Sequence, residues 1–446
     1  MDEAPSLHQP GVSWAPAPTR RVTSGAAAWD PLLVCVAVYL AASIGRVHQL
    51  FPVLLPFKPA LLSAVLAIGL LLLDRSVVHR LSLFRSRTTG CLLGLLVWTA
   101  LSVPGALHQG VAFQAWTDFL RTVVMFFVIA GSLRNARDVE RLILVYFGVT
   151  VFYTAVVLAR FQLGADSWRL GRLYYYDAND LATLIATAMP LGLYFVLAHR
   201  RPLLRGLAVA GLAVLAVGLI RSGSRGGFLA VLAVTAFVLL GFTTVAARAR
   251  LAGLIVILAV ATVAASDRYW AQMQTIVHPH EDYNATSEAG RLKIWQRGIG
   301  YMMENPVLGV GILNFQVAEG TISPLAKRQE RGIGVLWGAA HNSFVQMGAE
   351  LGIPGLLLFV GVIVTAFRSL RRVAAQHARA SPPVDQVARL AQSLMAAIVG
   401  FVVGAFFLSL GFADMLYTIA AFAVALAKSA RGGVARPAPR PHGVPA

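Results

Sequence analysis

Residues 205–245 read RGLAVAGLAVLAVGLIRSGSRGGFLAVLAVTAFVLLGFTTV. Two apolar runs, at about 205–221 and 226–245, are each long enough to cross a hydrocarbon core roughly 30 Å thick. Between them stands a short polar hinge, RSGSRGG, with Arg221 and Arg225 among glycines. That pattern dictates two membrane helices joined by a tight turn. Runs of the same kind, about 16 to 25 residues long, recur outward from it. They fall near 30–45, 60–73, 90–106, 117–132, 142–159, 180–198, 251–266, 341–367, 389–410 and 412–427. The expected fold class is therefore all-α, a polytopic membrane protein with about 12 transmembrane helices.

Composition agrees. The 446 residues are 57% hydrophobic and 13% charged, against about 25% charged in an average soluble domain, and the mean hydropathy is +0.69. Cys35 and Cys91 lie in apolar stretches, which argues against a disulfide framework or a zinc site. A net charge of +18 would suit nucleic acid in a soluble protein. Here alternate loops carry the excess: Arg75 to Arg87, Arg134 to Arg141, Arg200 to Arg205, Arg248 and Arg250, Arg368 to Arg372, then Lys428 and Arg431. By the positive-inside rule these loops and both termini are cytoplasmic, and no nucleic-acid partner is expected. The organisation reads as a disordered tail over 1–28, nine spans over 29–266, a periplasmic loop domain over 267–340, three spans over 341–428 and a cytoplasmic tail over 429–446. The first segment does not read as a cleaved signal peptide, because a full span follows without a clear small-residue cleavage site.

The segment 267–340 is far longer than a structureless connection, since loops beyond about 15 residues are usually functional. Its stretch GRLKIWQRGIGYMMENP, Gly290 to Pro306, has helical spacing and a helix-terminating Asn-Pro. A helical cap on the outer membrane surface is expected. Arg160, Arg169, Arg172, Arg221, Arg225, Arg291 and Arg297 all map to the outer side. Singly, each is explained equally well by interface anchoring; as a set they suit an anion, because a guanidinium fork donates paired hydrogen bonds to phosphate. Glycines beside Arg225 would let backbone N–H groups approach the same anion. In HNSFVQMGAELGIPG, from His341, the residues Asn342, Gln346 and Glu350 form one polar stripe at i, i+4, i+8. The stripe reads either as polar groups bonded to neighbouring helices or as a functional face. A neutral His341 at a cavity mouth is a natural general base. Asp177 and Asp180 of DANDLATL read as an N-cap rather than a metal motif. Glu281 and Asp282, flanked by His278 and His280, read as a solvated loop. No metal site and no cofactor are expected, and neither a Walker A loop nor a Rossmann fingerprint is present.

Taken in order, DANDLATL, SRGG, GRLKIW with NPVLGVG, and HNSFVQMGAELGIPG resemble the O-antigen ligase and polymerase superfamily of bacterial envelope glycosyltransferases. The resemblance covers roughly residues 170 to 365; the N-terminal half matches only as a helix pattern. It implies a GT-C-like membrane fold in the bacterial inner membrane, with a periplasmic active site. Arg225, Arg291 and His341 match the family's functional Arg, Arg and His. Arg172 and Arg221 match no family motif, so a substrate-binding role for them is a local inference, as it is for Asn342, Gln346 and Glu350. The implied reaction is an inverting, metal-independent transfer of O-antigen from undecaprenyl pyrophosphate to a sugar hydroxyl of the lipid A–core oligosaccharide. The alternatives are an O-antigen polymerase, a protein O-oligosaccharyltransferase and, from another class, a transporter of an anionic substrate. Against the last, no internal repeat is visible and the polar residues gather on one face instead of the midplane.

Overall fold

Among the described residues, seven helices are long and apolar enough to cross a membrane: the run Pro52–Leu73, then Gln109–Ser132, Ala136–Arg160, Ala178–Ala198, Pro202–Ser222, Ser343–Ala378 and Gln386–Ala405. They belong to a computed structural model that describes residues 29–74, 82–160, 168–170, 175–199, 201–248, 250–251, 253–255, 265–278, 287, 290–327, 337–378 and 386–433. Every regular element among these residues is helical. The chain is thus an all-α polytopic membrane protein, with seven clear spans among the described residues where the sequence suggested about twelve. The difference has physical causes. Pro31–Ser43 has 13 residues, a rise of only about 20 Å. Arg225–Gly241 is also short, because it ends at Gly241, before the expected 245. Arg87–Ser102 and Asp414–Gly433 stand at two more of the expected spans. The expected span at 251–266 lies largely outside the described residues.

Ala178–Ala198 and Gln386–Ala405 are the most enclosed of the seven spans, each 72% buried over its central window. They pack on one another through small residues, as membrane helices do when backbones must approach. A Cβ at Gly404 would lie 2.4 Å from Thr183, and one at Gly227 would lie 2.4 Å from Ala182. The second contact pins the start of Arg225–Gly241 beside the start of Ala178–Ala198. Pro52–Leu73 is the opposite case: only 11% of its window is buried, so most of its surface is left for lipid.

The segment 267–340 contributes helices Asp267–Gln274, Arg291–Glu304, Phe315–Thr321 and Pro324–Lys327. Ile294, Tyr301, Val310, Phe315 and Ala318 form its own small apolar cluster, completed by Ala340 and Ala349. Arg291–Glu304 ends at Asn305, as its Asn-Pro sequence requires, and packs on Ser343–Ala378.

Ser343–Ala378 is not one continuous helix. Gly352 stands at φ 68°, ψ −171°, which opens the helical hydrogen-bond ladder within a membrane span. The NPVLGVG loop closes the gap. Val310 N–H donates to Ala349 O and Gly311 N–H to Glu350 O, both at 2.9 Å, while Ile353 N–H donates to Pro306 O at 2.8 Å. The Trp98 indole adds bonds to Leu351 O at 3.0 Å and Val307 O at 3.2 Å. Gly309 and Gly352 are both left-handed and both abut backbone of the opposite segment, at 2.3 and 2.4 Å from an added Cβ. Neither position accepts a side chain. Gly309→Ala and Gly352→Ala should therefore each lower the melting temperature of the detergent-purified protein by several degrees. Gly69→Ala, in an open helical position, should leave it unchanged or slightly raised.

Candidate functional site

The hinge between Pro202–Ser222 and Arg225–Gly241 is built from its own short side chains. Gly223 turns the chain at φ 56°. Ser224 then caps the next helix, its Oγ accepting from Gly227 N–H at 3.1 Å, as an N-cap serine should. Arg225 becomes the first helical residue, and its Nη1 donates to Thr275 Oγ1 at 2.7 Å. The arginine thereby links the hinge to the segment that follows Asp267–Gln274. Arg169 holds the hinge from the other side. Its Nε donates to Ser222 O at 2.7 Å and its Nη2 to Asn179 Oδ1 at 3.1 Å, while Leu170 N–H donates to Arg221 O at 2.8 Å. Burial depresses the Arg169 guanidinium pKa; Asp177 opposes the shift and Arg225 adds to it, so the three groups share one local field.

Arg291 likewise opens a helix, directly after the N-cap Gly290. It lines a small, open cleft with Asn179, Thr183, Ser224, Gly226 and Gly227. Two helices therefore begin at this cleft with an arginine in first position. The partial positive charge of each N-terminus reinforces the guanidinium beside it, an arrangement suited to an anion.

His341 is placed by three contacts around it. Its backbone is left-handed, at φ 47°, and its N–H donates to Ser409 Oγ at 2.9 Å. Trp295, from the helix that Arg291 starts, donates its indole N–H to Ala340 O at 3.0 Å. Ser343 Oγ donates to Leu408 O at 2.7 Å and accepts from Leu410 N–H at 2.8 Å, which fixes the following turn. Burial pushes the His341 imidazole below its ordinary pKa; Arg291 pushes the same way, and Asp177 opposes. The ring is thus kept neutral, the form that can accept a proton. DAND, SRGG, GRLKIW and HNSF, far apart in the chain, supply groups that act on one another here.

The other expected site residues lie elsewhere or are engaged. Asn342 Oδ1 accepts from Phe344 N–H at 2.9 Å and Val345 N–H at 3.1 Å, so it caps its helix. Glu350 is buried, and its carboxylate accepts from Leu313 N–H at 2.9 Å and Phe315 N–H at 3.3 Å. Gln346 Nε2 stands 3.4 Å from Glu350 Oε1, and its Oε1 accepts from Gly411 N–H at 3.3 Å. Arg221 is exposed at the end of Pro202–Ser222. Arg172, His280, Glu281 and Asp282 lie outside the described residues. Asp177 and Asp180 form a capping box, with Asp177 Oδ1 accepting from Asn179 N–H at 2.7 Å and Asp180 N–H at 2.8 Å.

Of the remaining outer arginines, Arg297 is bound to buried Glu319, with Nη2–Oε2 at 2.5 Å, and Tyr301 donates its hydroxyl to the same carboxylate at 2.8 Å. Arg160 Nη1 donates to Leu50 O at 2.7 Å. Sequence reading placed Arg169 only in the set of outer arginines suited to an anion, and gave no role to Asn179, Ser224 or Trp295. Ser224 alone had a local signal, as a serine directly before an apolar helix.

Residues 208–360 match the family model described as O-antigen ligase, the family that the motifs resemble. The matched segment includes Arg225, Arg291 and His341 and leaves out Arg169 and Asp177. No curated protein matches the chain.

The arginines divide into two kinds, and substitution should separate them. Arg297→Ala strands a buried Glu319, which should cost about 3–5 kcal/mol and appear as lost folded yield and a lower melting temperature. Arg225→Ala, half-buried and bonded to a hydroxyl instead of a buried carboxylate, should melt much closer to the wild type.

Proposed function

We propose, from the match of residues 208–360 to the O-antigen ligase family model, that the chain transfers a glycan from undecaprenyl pyrophosphate to a sugar hydroxyl of a lipid A–core oligosaccharide. The observation that carries this reading is the cleft where Arg225 and Arg291 each begin a helix, with His341 in the field of Arg291. The pyrophosphate of the donor lies against the two guanidinium groups. The acceptor oxygen attacks the anomeric carbon as the bond from that carbon to the pyrophosphate oxygen breaks. The hydroxyl proton passes to the neutral His341 ring, and the electron pair leaves with the pyrophosphate. Direct displacement inverts the anomeric centre. Charge developing on the leaving group is stabilised where donors are already oriented, the arrangement that needs least reorganisation. Arg169 is a positioning residue that sets the hinge bearing Arg225.

The reading is metal-independent, since two arginines and two helix N-termini supply positive charge. Asn342, Gln346 and Glu350 serve the site by bracing the loops around His341, their polar atoms being engaged with the protein itself. Twelve spans, with the cleft on the periplasmic side of the inner membrane, complete the proposal. A polymerase or a protein O-oligosaccharyltransferase would share the donor half of this site and differ in the acceptor.

His341→Ala should reduce single-turnover transfer about 10²–10⁴-fold with donor affinity nearly intact. Arg225→Ala and Arg291→Ala should weaken donor binding as well, with Lys restoring only part of it for want of a bidentate fork. Near-normal transfer by His341→Ala would remove it as the base.

The pH dependence has a fixed sign. Protonation of His341 removes the base, so the rate falls on the acid side. Arg291→Gln removes a positive charge that disfavours imidazolium, so the acid limb should move to higher pH. An unmoved limb would uncouple the two residues.

Topology is tested by Thr321→Cys, an exposed position, in a chain lacking Cys35 and Cys91. An impermeant thiol reagent should label it in cells with a permeabilised outer membrane. Labelling only after inner-membrane lysis would invert the topology.

A further inference from the structure

A second polar cluster stands where Pro31–Ser43 gives way to the short helix Val47–Leu50. The backbone of this turn is well tied: Gln49 N–H donates to Arg46 O at 2.8 Å, and Leu50 O accepts from Arg160. Its side chains are only partly so, Arg46 being bonded to Tyr176 through its guanidinium. Arg46 Nε, His48 Nδ1 and Gln49 Oε1 are shielded from water without a hydrogen-bond partner among the described residues. Three such atoms in one turn ask for an explanation, because buried polar groups are nearly always paired. All three residues are only half-buried as wholes, so the turn is open to a ligand through modest side-chain rotation.

Arg46 is also held in place. Its backbone is left-handed at φ 47°, and its guanidinium lies 3.6 Å from the centre of the Tyr175 ring. Tyr176 beside it donates its hydroxyl to Ile44 O at 3.0 Å. A planar cation stacked on an aromatic face presents its edge, the geometry in which arginine takes phosphate. Asp414 offsets part of this charge, while its carboxylate accepts the Thr122 hydroxyl at 2.7 Å.

Two neighbouring features suggest what the turn holds. Directly after it, Val53, Leu55 and Phe57 are exposed and lead into the lipid-facing Pro59–Leu73. Tyr175 and Tyr176 immediately precede Asp177, the cap of the helix whose Asn179 lines the Arg291 cleft. The turn therefore joins an apolar surface to the transfer cleft.

We propose that Arg46, His48 and Gln49 form an acceptor subsite that takes the phosphorylated sugar head group of a lipid. Arg46 and the His48 ring N–H donate to phosphate oxygens, Gln49 Oε1 accepts from a sugar hydroxyl, and the acyl chains lie along the exposed face of Pro59–Leu73. Gln49 Oε1 calls for a hydrogen-bond donor beside the phosphate, which the ring hydroxyls of a phosphorylated sugar supply from fixed positions. The assignment as acceptor rests on the transfer reading; the binding itself does not.

The test uses the full chain in phosphatidylcholine nanodiscs, with diphosphoryl lipid A, its dephosphorylated form, phosphatidylglycerol and inorganic phosphate as probes in native mass spectrometry. Diphosphoryl lipid A should bind at least tenfold more tightly than the other three. Arg46→Gln should erase that preference, and the milder Gln49→Leu should reduce it, with undecaprenyl pyrophosphate binding unchanged in both. Equal binding of the dephosphorylated lipid would overturn the proposal, as would equal binding of phosphatidylglycerol, or of inorganic phosphate alone, or retention of the preference in both variants. Phosphate-dependent lipid A binding by a chain that shows no transfer would keep the subsite and sink the transfer reading. Transfer by Arg46→Gln and Gln49→Leu with an unaltered KM for the acceptor would do the reverse.

Discussion

A membrane span that breaks its own helix must find partners for the backbone groups it frees, because the hydrocarbon core offers none. Ser343–Ala378 breaks at Gly352, and the loop from Pro306 to Gly311 meets that requirement with three backbone hydrogen bonds. Much else follows from this pairing. The loop is held against the span, and Glu350 fixes its continuation by taking the amides of Leu313 and Phe315. The helix Arg291–Glu304 ends at the start of the same loop, so its axis is set at one end by the break and its length carries Arg291 to the cleft. At the other end of the span segment, Trp295 reaches from that helix to Ala340, next to His341. Arg291 and His341 are thus positioned by one framework anchored on a broken helix.

The arginines show how little residue type says alone. Arg297 and Arg160 are consumed by a buried carboxylate and a backbone carbonyl. Arg169 spends its guanidinium on Ser222 O and Asn179, shaping a turn. Arg225 and Arg291 differ because each stands in the first turn of a helix at a common cleft, where peptide dipoles add to their charge. The same chemistry is structural where a buried carboxylate is fixed opposite it, as at Arg297. The glycines at the cleft have a packing duty too: Gly227 lies so close to Ala182 that no side chain fits.

Helical membrane architecture could be read from the sequence, because a span must be apolar over its length and that requirement is one-dimensional. The helix over GRLKIWQRGIGYMME, the cap at Asp177 and the terminator at Asn305-Pro306 were legible for a related reason, since each depends on neighbours a few residues away. The motifs that resemble the O-antigen ligase family were visible as strings, and the family model matches over residues 208–360. Tertiary structure decided what those strings do. NPVLGVG and GAELGIPG turn out to be partners across a helix break, a relation carried by backbone atoms and so invisible to side-chain chemistry. The spacing of Asn342, Gln346 and Glu350 allowed either a functional face or polar groups bonded to neighbours, and their atoms meet backbone amides and one another. Periodicity tells which side of a helix a residue occupies; only the packing of other segments tells what faces it. Arg169 and Arg46 acquire their surroundings from residues distant in the chain, and such contacts leave no local signature.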